Sequence, residues 1–171
     1  MNSKSIVHII SFFAYVALQS IILQNIVLYD TAFCFAYIAF LLCLPVDMSV
    51  LGLLMLGFVT GISVDIFYDS LGMHAAASVF IMFIRNYWLN MITPQGGYDA
   101  GAMPSIKLNG WQWMLGYILP MIFIHHLVLL FIEASSFGLF WFTLLKVIMS
   151  TLLTTTVIFI LQYLFYNNRR N

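Results

Sequence analysis

Two aspartates, Asp65 and Asp69, interrupt apolar sequence in the segment GFVTGISVDIFYDSLGMHAAASVF, which runs from Gly57 to Phe80. A carboxylate that faced hydrocarbon would be unfavourable, so we expect Asp65 to face the protein interior, a partner or the water boundary. Its candidate contacts are His74 on the next helix and the hydroxyl of Ser70. Two interpretations remain open: a hydrogen-bonded turn that fixes a hairpin, and a recognition or ion-sensing site at the outer surface.

Four further ionisable residues lie in or beside apolar stretches, and their positions suggest two ion pairs. Arg85 sits deep in one stretch, where its long side chain can reach towards the cytoplasmic face, and Asp47 is its candidate partner. Contact of Arg85 with anionic lipid headgroups or a cytoplasmic protein is the alternative. Glu133 lies across a predicted outer turn from Lys146 and could neutralise it. We therefore predict helix-pairing ions at these four positions.

His125 and His126 are adjacent in one apolar stretch. Adjacent residues on a helix point about 100° apart, so the pair is poorly arranged to chelate a single ion and we expect no metal site. A proton relay through the pair, Glu133 and Lys146 stays open, because ionisable residues inside a membrane are functional candidates by default.

The other polar residues of the apolar stretches form no catalytic motif. Thr154, Thr155 and Thr156 are predicted to return hydrogen bonds to their own helix backbone, which needs no ligand. The sequence contains no P-loop, zinc motif, nucleophile elbow or carboxylate pair at catalytic spacing. We therefore expect no catalytic residue, no cofactor and no enzyme activity.

The composition of the chain makes these polar residues conspicuous. Of the 171 residues, 63% are hydrophobic and 7% are charged. A soluble domain needs a larger charged surface to stay in solution, so the bilayer is the expected solvent. Six acidic side chains balance six basic ones. That balance argues against nucleic acid as a partner, because phosphates are neutralised by many Lys and Arg side chains.

The long apolar stretches predict an all-α, polytopic bundle of transmembrane helices in a single domain over residues 1–171. A helix needs about 20 apolar residues to cross the hydrocarbon. The stretch at 30–45 is short for a span and is counted as the second of six. The predicted spans are 6–28, 30–45, 48–67, 72–92, 113–133 and 137–166.

The positive charges set the expected orientation, because cytoplasmic loops collect Lys and Arg. With six spans and the N-terminus inside, Lys4, Lys107, Arg169 and Arg170 all fall in the cytoplasm, and the outer turns contain neither residue type. We therefore predict that both termini are cytoplasmic. The polar segment 93–112, which is rich in Gly and Pro, is then an irregular cytoplasmic loop.

Small residues predict that the third and fourth spans pack closely. Gly57, Gly61 and Asp65 follow at four-residue intervals and hence share one helix face. Helices associate in lipid through such small-residue faces. The fourth span opens with His74 and then Ala-Ala-Ala-Ser, so it can lie against that face. The residues that we expect to fix this hairpin or to bind a partner are Gly57, Gly61, Asp65, Ser70, Gly72 and His74.

The hairpin segment resembles the signature of MreD, a family of small multi-span rod-shape-determining proteins of bacteria. MreD sequences typically show spaced glycines before an Asp, an aromatic or aliphatic pair, a Ser or similar residue, and Leu-Gly opening the next helix, with His-Ala a common continuation. The chain length, the six predicted spans and the small soluble fraction also agree with the family. The matching positions are Gly57, Gly61, Asp65, Phe67, Ser70, Leu71, Gly72 and His74.

The resemblance implies a nonenzymatic scaffold of the cell-elongation machinery, a multi-pass protein of the bacterial cytoplasmic (inner) membrane. MreD-like proteins act in rod-shape maintenance and peptidoglycan synthesis with the periplasmic protein MreC, the actin-like MreB, and RodA with its penicillin-binding partner. On this interpretation the turn between Asp65 and His74 contacts an MreC-like protein.

Two other classes of membrane protein stay open. The MreD fold is similar to the substrate-binding subunits of energy-coupled vitamin importers, which would hold a small ligand near the outer leaflet. Asp65, His74 and Glu133 are the candidate groups for such a ligand. A lipid-linked precursor transporter would use Arg85 as its phosphate contact. The roles of the histidine pair and of the 93–112 loop match no family pattern.

Overall fold

The computed structural model describes residues 3–167 and, among these, the side chains of 6–136 and 138–164. The side chain of Lys4, and the whole of Arg169 and Arg170, lie outside the described residues. The described chain is mainly helical. Its elements are α1 (Ser3–Ala17), extended by a π-helical turn (Leu18–Ile22) and a 3-10 turn (Leu23–Asn25), then β1 (Val27–Leu28), β2 (Ala32–Phe33), α2 (Ile38–Leu42), α3 (Val50–Tyr68), α4 (Met73–Met91), α5 (Ile106–Asn109), α6 (Trp111–Ala134), a 3-10 turn (Phe137–Leu139) and α7 (Phe140–Asn167).

Four helical stretches of the described chain are long and apolar enough to cross a membrane, at Ile6–Asn25, Val50–Tyr68, Trp111–Ala134 and Phe140–Leu164. They confirm the predicted all-helical membrane class. α4 has the same 19-residue length as α3, but it contains Arg85, Asn86 and Asn90, which make it less apolar.

The bundle is apolar outside and partly polar inside. Large apolar side chains point outward on α1, α3 and α7, among them Ile10, Leu51 and Trp141. Polar side chains such as Gln19 and Arg85 are completely buried. This arrangement fits a bilayer, where lipid solvates the apolar surface and polar groups must find partners inside the protein.

Residues 30–45 do not form a spanning helix, so the predicted transmembrane helix over 30–45 is wrong. β1 and β2 form an antiparallel hairpin in which Val27 pairs with Phe33 and Leu28 pairs with Ala32. The three residues that join the strands, 29–31, include Tyr29 and Asp30 at positive φ. The only helix in the segment is α2, whose five residues rise about 7.5 Å, far short of the roughly 30 Å of a hydrocarbon core.

The segment from β2 to α2 nevertheless travels a long way through the protein. Phe33 N donates to Ser150 Oγ (2.9 Å), and Cys43 Sγ accepts from Gln162 Nε2 (3.4 Å). Those two partners are twelve residues apart on α7, which corresponds to about 18 Å of rise. Residues 34–42 between these contacts are all buried. Irregular backbone at membrane depth is tolerated where protein surrounds it in this way.

Side chains from other helices satisfy the backbone of this segment. Gln19 Nε2 donates to Cys34 O (2.9 Å), and Gln19 Oε1 accepts from Tyr37 N (3.4 Å). Phe35 N donates to Thr154 Oγ1 (3.1 Å). Thr154 therefore contacts a distant segment, contrary to the expectation that it serves its own helix. Thr156 does follow that expectation, since it donates to Leu152 O (2.8 Å).

Two ends of the bundle can be defined by the connections that they contain. The hairpin end is the end at which residues 69–72 join α3 to α4. The loop end is the end at which residues 93–105 lie, and there Val46 N donates to Ala102 O (3.0 Å). α3 and α4 run between these ends as antiparallel neighbours, as the sequence predicts.

Candidate functional site

The hairpin of α3 and α4 is held together by direct contact of their backbones at Gly61. A Cβ atom at Gly61 would lie 2.6 Å from Ala75 N and 2.7 Å from His74 O. One turn earlier, a Cβ at Gly57 would lie 3.1 Å from Ser78 O. The small-residue face predicted from the spacing is therefore the surface on which α4 packs.

Asp65 caps the first turn of α4 from across the hairpin. Its Oδ1 accepts from Ser70 Oγ (2.6 Å) and from His74 N (3.0 Å), and its Oδ2 accepts from Ala75 N (2.9 Å). The first N–H groups of a helix have no partner within the helix, and they carry partial positive charge. The buried carboxylate accepts hydrogen bonds from two of these N–H groups and places a negative charge beside them. These contacts fit the hydrogen-bonded turn, one of the two interpretations that the sequence leaves open.

The turn itself uses left-handed backbone at both of its ends. Asp69 ends α3 with φ +50°, and Gly72 precedes α4 with φ +85°. Leu71 between them is completely exposed. The exposed apolar side chains at this tip are Ile66, Phe67 and Leu71.

The His74 side chain belongs to a buried polar cluster. Its Nδ1 lies 3.2 Å from Tyr37 Oη, and Tyr37 Oη lies 2.8 Å from His125 Nε2 and 3.4 Å from Ser78 Oγ. The expected contact between Asp65 and His74 is thus made to the backbone N–H of His74 instead of its imidazole. We call Tyr37, His74, Ser78 and His125 the Tyr37 cluster.

His126 lies beside the Tyr37 cluster but has its own partners. Its Nδ1 is 2.7 Å from Ile122 O, and its Nε2 is 3.2 Å from Thr154 Oγ1. The Phe35 ring packs against the imidazoles of His74, His125 and His126, with ring centroids 5.2 to 6.5 Å apart. In the part of the chain that the structure describes, no group of three or more His, Cys, Asp or Glu side chains is placed to hold a metal ion.

The predicted ion pair between Arg85 and Asp47 is wrong. Arg85 is fully buried, and its Nε donates to the Tyr117 hydroxyl (2.9 Å). Its terminal nitrogens donate to the carbonyl oxygens of Leu42 (3.3 Å), Leu44 and Pro45 (3.3 Å). These carbonyls lie at and just beyond the C-terminal end of α2, where backbone acceptors lack helical partners and carry partial negative charge. The guanidinium therefore caps the C-terminal end of α2 and does not pair with a carboxylate.

The predicted pair of Glu133 and Lys146 is also wrong. Glu133 is exposed near the C-terminal end of α6. Lys146 Nζ lies over the rings of Phe33 and Phe142, 5.4 and 5.1 Å from their centroids, in a cation–π arrangement. The β2 strand brings Phe33 to this lysine, which sequence spacing alone does not predict. The relay through the histidine pair, Glu133 and Lys146 is not assembled either, because both imidazoles bond elsewhere.

The 93–112 loop is irregular as predicted, apart from the four-residue helix α5 and its last two residues, which begin α6. Asp47 Oδ2 accepts from Gly101 N (2.9 Å), and Trp113 Nε1 donates to Ile92 O (2.9 Å). Two cavities of about 270 and 400 Å³ lie here and share Val46, Tyr98 and Asp99. Both are at the loop end, and neither is lined by a residue of the hairpin tip or of the Tyr37 cluster.

Sequence reasoning missed Gln19, Tyr37, Tyr117 and Ser150, and it assigned Thr154 a partner in its own helix. A usable signal exists for Gln19, an uncharged polar residue inside a long apolar stretch, since such a residue needs a partner in the membrane. Tyrosine and threonine are too common in membrane helices to carry the same signal. No family model, curated protein or solved structure matches this chain.

Proposed function

We propose that this protein is a nonenzymatic, MreD-like scaffold of the cell-elongation machinery in the bacterial cytoplasmic membrane. Its direct partner would be an MreC-like protein, with MreB, RodA and the penicillin-binding partner of RodA in the same assembly. The observation that carries the proposal is that the residues of the MreD-like signature form one structural unit. Gly57, Gly61, Asp65 and Ser70 hold the hairpin, and Phe67 and Leu71 are left exposed at its tip.

The proposal includes six crossings of the membrane with both termini in the cytoplasm. Gln19 Nε2 donates to Tyr68 Oη (2.6 Å) at the hairpin end, while Phe12, earlier in α1, packs against Phe40 nearer the loop end. α1 therefore rises from the loop end to the hairpin end, and the segment with β2 and α2 returns as a second, largely non-helical crossing. α7 finishes at the loop end, where its Gln162 Oε1 accepts from Ile106 N (3.1 Å). This path supports termini on one side.

The packed interior favours a scaffold over a vitamin-binding subunit. A small-molecule site needs a cavity with convergent polar groups. The polar groups near the hairpin end, Asp65, His74 and Tyr37, bond to the protein itself, and neither cavity of the loop end is lined by them. Partners would then meet the exposed side chains of the hairpin tip.

The lipid-precursor transporter has less support. Its phosphate contact would be Arg85, but that side chain is completely buried and donates to the Tyr117 hydroxyl and three backbone carbonyls. A phosphate would have to displace the end of α2 to reach the guanidinium.

Mass spectrometry of proteins that copurify with the tagged chain in mild detergent tests the proposal. We expect an MreC-like protein or the elongation synthase, and we expect the double variant F67A/L71A to lose it. The matched control is Leu51→Ala, an exposed leucine at the other end of α3. Recovery of an ATPase with a membrane coupling subunit would contradict the scaffold and indicate an importer.

A further inference from the structure

We propose that His74, Tyr37 and His125 form a proton-binding site inside the bundle, in which the Tyr37 hydroxyl passes a proton between the two imidazoles. The proposal is independent of the scaffold function, because it rests on the Tyr37 cluster and not on the exposed hairpin tip. Nothing in the signature of the hairpin accounts for Tyr37 or for His125.

The Tyr37 hydroxyl lies between two imidazoles. The hydroxyl has a single hydrogen, yet it lies 2.8 Å from His125 Nε2 and 3.2 Å from His74 Nδ1. Neutral imidazole carries a hydrogen on one nitrogen and a lone pair on the other. The phenol can therefore donate to His125 while it accepts from His74, or donate to His74 while it accepts from His125. Two arrangements of the same atoms are available without movement of a heavy atom.

A second feature of the Tyr37 cluster is the unpaired Nδ1 atom of His125. Its side chain is fully buried, and Nδ1 has no hydrogen-bond partner in the described part of the chain. This holds in both arrangements, because Tyr37 contacts only Nε2. A buried polar atom without a hydrogen-bond partner is unfavourable in a folded protein, so Nδ1 of His125 points to a role beyond packing.

A third feature is the negative charge of Asp65 beside His74. Asp65 lies on the neighbouring turn with three hydrogen-bond donors, and no Lys or Arg side chain contacts it among the described residues. A proton on the cluster would offset the carboxylate, which the helix dipole of α4 compensates only in part. The titratable groups that face the His74 and His125 imidazoles are Asp65 and Tyr68 from α3, Tyr37 from the segment before α2, and His126 from α6.

The proposed transfer conserves atoms and involves no change of oxidation state. A proton binds to His74 Nε2, which has no hydrogen-bond partner in the described chain, and gives an imidazolium. The Nδ1 hydrogen of His74 moves to Tyr37 Oη as the phenol hydrogen moves to His125 Nε2. His74 is then neutral, and His125 carries the charge with hydrogens on both nitrogens. His74 is the second residue of α4, next to the exposed turn, so protons would enter from the hairpin end.

His126 provides an internal control for this site. A carbonyl oxygen only accepts hydrogen bonds, so the 2.7 Å contact of Nδ1 with Ile122 O requires a hydrogen on Nδ1. Nε2 then carries the lone pair and lies 3.2 Å from Thr154 Oγ1. The tautomer of His126 is therefore fixed by the backbone, although its imidazole is as deeply buried as that of His125.

The test is nitrogen-15 NMR of histidine side chains in the full-length chain in lipid bilayers, across about pH 3 to 8, a range that extends below the ordinary titration of histidine. Histidine-to-glutamine variants assign the four resonance pairs. We expect His74 and His125 to share one proton, so their signals should change together in one common step whose apparent pKa belongs to the pair. His126 should keep its Nδ1 hydrogen throughout. Constant His74 and His125 signals, or two unrelated steps, would overturn the proposal on the wild-type chain alone.

Tyr37→Phe removes the bridging hydroxyl and should split the common step, with the His125 signal no longer following that of His74. The matched control is Tyr68→Phe, whose ring also packs on His74, with centroids 5.0 Å apart, but whose hydroxyl bonds to Gln19. That variant should keep the common step. Equal behaviour of the two variants would assign the coupling to ring packing and contradict proton transfer through Tyr37.

Discussion

The hairpin of α3 and α4 and the segment from residue 30 to 45 solve the same problem in opposite ways. In the hairpin, most backbone hydrogen bonds stay within the helices, and small residues let two helices touch. Asp65 accepts from the first N–H groups of α4. In the segment, the backbone is mostly irregular, and its polar groups bond to side chains of other helices, such as Gln19 and Thr154. In both regions, buried polar side chains satisfy backbone groups of the protein itself.

The largest expected loss of stability comes from filling the helix contact at Gly61, in the hairpin. Gly61→Ala places a methyl group against the backbone of Ala75, and we expect it to lower the free energy of unfolding by about 1–3 kcal/mol. Gly61→Leu should prevent the hairpin from closing. Gly116→Ala is the matched control, because no atom lies within 4 Å of its added Cβ in α6. Unfolding in detergent, followed by circular dichroism, measures both, and equal stability of the two alanine variants would contradict the close contact.

The segment should respond most strongly to the loss of Arg85. Arg85→Met leaves the carbonyls beyond α2 and the Tyr117 hydroxyl without their donor, and we expect a loss of roughly 3 kcal/mol from several charge-assisted hydrogen bonds. Lys107→Met removes an exposed positive charge and should change stability by less than about 0.5 kcal/mol. A neutral effect of Arg85→Met in the same unfolding assay would mean that the guanidinium does not hold α2.

A smaller effect is expected at the cap of α4. Asp65→Asn keeps the shape but replaces one acceptor by a donor, so one N–H or O–H partner is lost. We expect about 1–2 kcal/mol of destabilisation. Asp69→Asn should be nearly neutral, because Asn tolerates the left-handed backbone found there. If both variants unfold alike, Asp65 does not cap α4.

The smallest expected effect compares two threonines two residues apart. Thr154→Val removes the acceptor of Phe35 N and should cost about 1 kcal/mol. Thr156→Val removes a hydroxyl that bonds only to its own helix at the exposed surface, and it should be nearly neutral. Hydrogen exchange of the Phe35 amide gives a second readout, and it should accelerate only in Thr154→Val.

The hairpin could be predicted from sequence because its determinants are local. The four-residue spacing of Gly57, Gly61 and Asp65 sets one helix face, and the small residues after His74 set the facing one. The membrane class followed equally directly from composition. Such patterns need no knowledge of distant contacts.

The segment and the ion pairs could not be predicted because their determinants are distant in sequence. Phe33 and Phe35 bond to side chains more than a hundred residues away on α7. A short apolar stretch at 30–45 reads as a thin span until those partners are known. Arg85 and Asp47 both lie towards the loop end, but the guanidinium donates to carbonyl oxygens at and beyond the end of α2 and not to the Asp47 carboxylate.

Site-specific photo-crosslinking in living cells can identify the partner of the hairpin tip. The crosslinker is placed at Leu71 on the tip and, for comparison, at Leu51 at the other end of α3. The scaffold proposal predicts that position 71 captures an MreC-like protein, identified by mass spectrometry, and that position 51 does not. Capture of an energy-coupling module, or the same proteins from both positions, would contradict it.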